Sequence, residues 1–343
     1  MNKEGGNTME KRIGCWVTLI LVGGILLVPS KPWAAPYYEG KTLTIIAGFA
    51  AGTGYDQITR VVGRHLPKYI PGKPSIVVQN MEGASSMIAA NHVYNKVKPD
   101  GLTLFSTQRG IAFMQLLKAD GVRFDMNKFE MIGSMASETV VLCLRTTLPY
   151  KTYDELIKSG KQVFLGGPGP GTVTTQMAHL CRDFMGLNVK YVEYRNTQEI
   201  MLAIEQKELD GVWLAYNSAR PYIERGLVRL LIRARVSQKG IENLPITEDY
   251  CTDPTGKTIL AMMGRTGVMG RMILAPPGTP ADVTAIIRDA YAKTLKDPEL
   301  QADATKALMD LEYISAEECT KLLNFMFSQP PEILKVLGKY VKY

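Results

Sequence analysis

From residue 42 onward, short apolar runs alternate with stretches in which apolar residues recur at helical spacing. TLTIIAGF at 42–49 reads as a strand, AAGTGY as a loop, and Ile58, Val61, Val62 and Leu66 as one face of a helix. The unit then repeats in kind. SIVVQN at 75–80 leads through MEGAS into a helix carrying Met87, Ala90, Val93, Tyr94 and Val97, closed by the turn Pro99-Asp100-Gly101 before LTLFST at 102–107. A second series opens with TVVLCL at 139–144, and Thr152-Tyr153-Asp154-Glu155 has the capping-box form of a helix start. QVFLGG at 162–167 runs into the loop PGPG, and a helix with Val173, Met177, Leu180 and Phe184 follows, stopped by Gly186. KYVEY, a helical stretch at 198–207, GVWLAY, a short helix to Arg225 and VRLLIRA complete this series. In the tail, APPGTPADV offers Thr279 or Asp282 as the cap of a helix over 282–295.

Strands separated by helices of this length imply right-handed parallel crossovers and sheets covered on both faces. The fold class expected is therefore α/β in two lobes, each a mainly parallel sheet flanked by helices. Residues 36–137 with 255–343 form the first lobe and residues 138–254 the second. Residues 1–35 are set aside as a signal peptide, since Lys11 and Arg12 precede the apolar run 13–28, then Pro29, Pro32 and Ala34-Ala35. That run is shorter than the roughly 20 residues of a membrane span, so export is expected rather than an N-terminal anchor.

Composition narrows the chemistry. The 343 residues carry a formal charge of +7, which drops by two once four basic and two acidic residues leave with the leader. The remaining cations are scattered, which suits small anions and not a nucleic-acid stripe. Cys143, Cys181, Cys251 and Cys319 are too far apart for a CxxC metal or redox motif, and their pairing is left open. His65, His92 and His179 are isolated on helices, with no GxSxG nucleophile context and no paired-ligand spacing. No catalytic residue, metal or cofactor is expected, and the chain is not read as an enzyme.

In open α/β sheets, ligands sit beyond the carboxyl ends of the strands. Residues 48–56, 80–86 and 166–172 have that loop-to-helix character, where unpaired N–H groups and the helix dipole hold an anion without a basic side chain. Each set of glycines either makes turns only or admits a ligand to the backbone, and three such loops weigh toward binding. Gly52-Thr53-Gly54 has Gln57, and Gly169-Pro170-Gly171 has Thr174, where a dinucleotide fingerprint needs its last glycine. Asp56 reads equally as a first-turn acid or as an acceptor for a ligand hydroxyl or amine.

Over about 41–309 the chain resembles the extracytoplasmic substrate-binding receptors of tripartite tricarboxylate transporters. IIAGFAAGTGYDQITRVVGRHL at 45–66, IVVQNMEGASSMIAANHVYNKVKPDGLTLF at 76–105, GPGPGTVTTQMA at 167–178 with VEY at 192–194, and ILAPPGTPADV at 273–283 carry the match. The resemblance implies a type II Venus-flytrap fold, a periplasmic location, membrane transporter subunits as partners, and a monomer. It implies that a carboxylate is held by Phe49, Ala51, Gly52, Thr53, Gly54 and Asp56 of one lobe and Gly169, Gly171 and Thr172 of the other. Tyr194 and the segment from Trp213 through Tyr216 and Asn217 to Ser218 would line the far wall.

The departures fall at this pocket. Thr53 stands for a second glycine with Tyr55 beside Asp56, Thr175-Gln176 for His-Leu, and Arg195-Asn196 for Lys-Gly, so the ligand need not be that of any relative. Arg195 reads either as a partner for a second carboxylate or as a solvated helix-start cation. Tyr55, Trp213 and Tyr216 read either as stacking partners for an aromatic acid or as core. The function expected is capture of a small organic acid, a mono- or dicarboxylate, and delivery to a transporter. The alternative is a periplasmic ligand-sensing subunit of a signalling system.

Overall fold

Two sheets built on one plan organise the chain. The computed structural model describes residues 36–169, 172–307 and 309–342; the signal-peptide reading lies outside them. The strands are β1 (Thr42–Ala47), β2 (Ser75–Asn80), β3 (Thr103–Gln108), β4 (Glu130–Ser134), β5 (Val140–Arg145), β6 (Val163–Gly167), β7 (Val189–Glu193), β8 (Gly211–Ala215), β9 (Val228–Arg233), β10 (Arg271–Ala275) and β11 (Ile314–Ser315). The helices are α1 (Gly54–His65), α2 (Met87–Lys96), α3 (Gly110–Leu116), α4 (Tyr153–Lys158), α5 (Val173–Phe184), α6 (Thr197–Glu205), α7 (Tyr216–Glu224), α8 (Pro254–Arg265), α9 (Ala281–Leu295), α10 (Pro298–Lys306), α11 (Ala316–Phe327) and α12 (Pro331–Leu337).

The first sheet has the order β11-β4-β10-β3-β1-β2 and the second β7-β6-β8-β5-β9. β1, β2 and β3 are parallel, as are β6, β7 and β8. Each sheet is mixed, because β10 runs against β3 and β4, and β5 against β8 and β9. In both sheets the first strand laid down after the chain arrives from the other sheet is reversed, and in the first sheet β11 also runs against β4. Entering from the opposite side, that first strand meets its neighbour head to tail.

Register places chemistry at the strand ends. Ala47 pairs with Asn80 on one side and Ser106 on the other, so both side chains flank the loop that follows β1. The Ser106 hydroxyl meets Thr59 of α1 at 2.7 Å in a buried contact that seats the helix on the sheet. Thr53, Thr152 and Thr172 cap α1, α4 and α5 by accepting N–H bonds with their hydroxyls; of these, the Thr152 cap agrees with the sequence pattern. Neither Thr279 nor Asp282 caps α9. The helix begins at Ala281 after Pro280, and the Thr279 hydroxyl donates to the Pro276 carbonyl instead.

One hydrophobic cluster runs through both lobes, including Phe105 and Met272 of the first sheet and Leu142, Leu165 and Trp213 of the second. The four downstream cysteines are buried and unpaired. Burial pushes the Cys181 thiol up to about 12, so these are inert core residues. The chain crosses between the sheets after β4 and again before β10, and the two crossings touch. The Glu138 N–H donates to the Gly267 carbonyl at 2.8 Å. A Cβ on Gly267 would lie 2.0 Å from the Glu138 carbonyl oxygen, so only glycine fits.

Gly267→Ala is therefore expected to lower stability by about 2–3 kcal/mol through overpacking at backbone that cannot move aside. Urea denaturation checks this, and an unchanged midpoint would show that the crossings are not locked.

Candidate ligand-binding site

The loop after β1 is fixed by a buried carboxylate. Asp56 is 2% exposed. Its oxygens accept from the Gly52 N–H at 2.8 Å, the Asn80 amide at 2.7 Å and the Arg60 guanidinium at 3.0 Å. Arg60 also donates to Asn80 at 2.7 Å, and Asn80 donates to the Phe49 carbonyl at 3.0 Å. Burial alone would raise the Asp56 pKa. The hydrogen bonds from Arg60, Asn80 and Gly52 outweigh it and hold the carboxyl below its ordinary value. Through the bond from Gly52 and the link to Asn80, Asp56 shapes the loop. Gly52 has φ +81° with open space where a Cβ would point, and Ala51, Gly52 and Thr53 are exposed.

The second lobe-one loop is strained. Gly83, Ala84, Ser85 and Ser86 have φ of 129°, 44°, 51° and 76° in succession. A non-glycine residue in that region costs on the order of 1–2 kcal/mol. The strain is offset where Ser86, fully buried, donates its hydroxyl to the Gly48 carbonyl at 2.9 Å. Gly48 is needed in turn, since a Cβ there would come within 2.5 Å of the Ser86 hydroxyl.

Aromatic and charged groups form the floor between the lobes. Phe49 and Tyr55 stack with ring centroids 4.1 Å apart, and the Arg271 guanidinium lies 4.5 Å above Tyr55. Arg271 donates to the Gly54 carbonyl at 2.8 Å and pairs with Glu138 at 3.2 Å. Burial, with Glu138 adding and Arg271 and Arg109 opposing, pushes the Tyr55 phenol up to about 12, so it stays a neutral donor. A cavity of about 200 Å³ is lined by Gly54, Gln57, Glu138, Asn217, Arg271 and Asp310. Asp310 pairs with Arg220 of α7 at 3.0 Å, and Arg220 lies 5.2 Å from the Tyr216 ring.

The loop after β6 is held by neutral hydroxyls. Tyr191 donates to the Gly167 carbonyl at 2.9 Å, accepts from the Gly169 N–H at 3.2 Å and meets Thr175 at 2.9 Å. Thr172 reaches Thr175 at 3.1 Å and donates to the Gly169 carbonyl at 3.0 Å. Gly169 has φ +106°, a conformation that suits glycine. Gly171 lies outside the described residues.

The expected residues separate into groups. Gly54 and Asn217, one from each lobe, share the 200 Å³ cavity. Thr175 is buried beneath its loop, and Tyr194 packs partly buried against the α6 side of the second sheet. Arg195 stands in solvent with its side chain 89% exposed, paired to Glu199 at 3.1 Å. Trp213 is fully buried in the core, where no cleft ligand can reach its ring; packing behind β8 claims it. Asn80 and Ser86 fall in the 80–86 loop that the sequence marked, without a role of their own, and sequence reasoning did not single out Arg109, Glu138, Tyr191 or Arg271. His65, Asp297 and Glu299 could converge on a cation, but the Lys68 ammonium already sits 2.9 and 3.1 Å from the two carboxylates.

Residues 58–338 match the family model described as "Tripartite tricarboxylate transporter family receptor". A Cupriavidus necator protein, "UPF0065 protein in gbd 5'region", is 24% identical over 92% of this chain and 93% of its own. A TctC solute binding protein from Polaromonas, solved with no ligand, superposes with a TM-score of 0.73 at 18% identity, covering 88% of this chain and 99% of that one. A protein from R. palustris solved with adipate gives a TM-score of 0.61 at 18% identity over 87% and 98% of the two chains. The structural likenesses establish a periplasmic-binding-protein fold.

Two outcomes follow from the loop networks. Because the folded Asp56 pKa lies below its ordinary value of 3.8, its contribution to stability is present above that value and lost as pH falls through the depressed one. Asp56→Asn should cost about 1–3 kcal/mol by leaving buried donors unmatched, and should flatten the acid limb of a stability-versus-pH curve. Retention of the full acid limb in the variant would assign that limb to other carboxyls. Tyr191→Phe should lose about 1–2 kcal/mol and raise hydrogen exchange at Gly169, and unaltered exchange there would contradict the role given to the phenol.

Proposed function

Because this chain belongs to the tripartite tricarboxylate transporter receptor family, we propose that it is an exported receptor for a small organic carboxylate, handed on unchanged to membrane transporter subunits. The members of this family are substrate-binding receptors, not enzymes. The observation that carries the reading is the pair of glycine loops at the carboxyl ends of β1 and β6, each running into a threonine-capped helix of twelve residues. The first-turn N–H groups of such helices and the exposed loop backbone suit a carboxylate, while buried groups fix the loops. Bound adipate in the R. palustris protein supports a carboxylate as the ligand class. The leader-like N-terminus supports delivery to the periplasm, and among the described residues no helix is long and apolar enough to cross a membrane.

Denaturing the purified protein and identifying the released ligand by mass spectrometry should yield an organic acid. A thermal-shift series with straight-chain mono- and dicarboxylates of four to six carbons should then raise the melting temperature. Gly52→Trp should remove that shift by filling the open space over the loop, at a strain cost of about 1–2 kcal/mol from the positive φ. An undiminished shift in the variant would sink the assigned loop, and no shift with any acid would sink the receptor reading.

A further inference from the structure

Arg109 directly follows the carboxyl end of β3, beside the floor groups Glu138 and Tyr55. The residue is 9% exposed, and among the described residues its guanidinium makes one hydrogen bond, a 3.3 Å contact to the Glu138 carbonyl oxygen. The nearby carboxylate does not neutralise it, because Glu138 Oε1 is 3.2 Å from Arg271 and Arg271 is further held by the Gly54 carbonyl. Arg109 is close enough to Tyr55 to act on the phenol's ionisation, as Arg271 is. Around Tyr55 the floor thus holds two guanidinium groups, Arg109 and Arg271, against the one carboxylate of Glu138. A buried cation without a counter-charge is costly, and such groups are ordinarily paired.

The geometry points to Arg109 as the receptor for a second anionic group of the ligand, which makes the site selective for a dicarboxylate. This rests on the receptor reading above, with one carboxylate at the loop backbone. A planar fork of N–H donors suits a carboxylate bidentately, which an ammonium cannot reproduce. The assignment also moves the second-carboxylate role from Arg195, whose charge is in solvent and already paired, to a guanidinium held between the lobes. An exposed pair such as Arg195–Glu199 discriminates little, whereas a largely buried arginine left empty by a monoacid discriminates more.

Calorimetric titration of the purified protein with butanoate against succinate, and hexanoate against adipate, tests the assignment. The unaltered protein should prefer the diacid by at least tenfold in one pair. Arg109→Met should reduce that preference at least tenfold, and Arg109→Lys should keep only part of it. The melting temperature of unliganded Arg109→Met should equal or exceed that of the parent, since an unpaired buried charge has gone. A preference that survives in Arg109→Met overturns the inference, as does a variant that melts lower or fails to fold, because the guanidinium would then be structural. If the unaltered protein binds monoacids as tightly as diacids, this inference alone falls. If it binds no acid, the receptor reading falls with it.

Discussion

The 2.8 Å bond from the Glu138 N–H to the Gly267 carbonyl joins the two segments by which the chain passes between its sheets, and the floor of the cleft is assembled on it. From that fixed point the Glu138 carbonyl accepts from Arg109 and its carboxylate holds Arg271. Arg271 in turn reaches the Gly54 carbonyl and covers Tyr55, which stacks on Phe49. One crossing residue therefore sets the position of the first turn of α1 and of the aromatic pair beside it. A shift at this point would move both the loop and the charges that face it, which is why the close approach at Gly267 matters more than its size suggests.

The two loops are stiffened by different chemistry. In the first lobe a buried carboxylate gathers a backbone N–H, an amide and a guanidinium, all charge-assisted bonds of the stronger kind. In the second, a tyrosine and two threonines share neutral bonds, each worth about 1 kcal/mol net. The first loop is thus a preformed platform held against the sheet by Asn80 and against the neighbouring strained turn by Ser86. The second is the more readily adjusted of the two, and a ligand met first by the platform would tolerate that asymmetry.

Much of the fold was legible because it depends on local pattern: the strand, glycine loop and helix order, the Thr152 cap and the two-lobe arrangement follow from periodicity and turn residues. Reversal of β5 and β10 was not, since it depends on which side the chain enters a sheet. At the site, the glycines could be read directly, but what holds them could not. Asp56 was visible beside its loop, whereas its partner Asn80 comes from the next strand and Arg271 lies 217 residues beyond Gly54. Trp213 and Arg195 each had two readings from residue type alone. Burial in one case and solvation in the other decide for core and for a surface cation.

Contacts that span the lobes differ in the same way. Arg220 and Asp310 join α7 to the segment after α10 at 3.0 Å, but both side chains are more than two-fifths exposed. An exposed pair of this kind contributes about 0–1 kcal/mol and exchanges readily with water. The Glu138–Gly267 contact is backbone to backbone and sterically exclusive, so it stays while surface pairs reform. At the cleft itself, exchange of the Arg220–Asp310 pair with water costs little and leaves the loops on either side undisturbed. Those loops are each anchored within their own sheet, and relative motion of the sheets leaves their internal bonds intact.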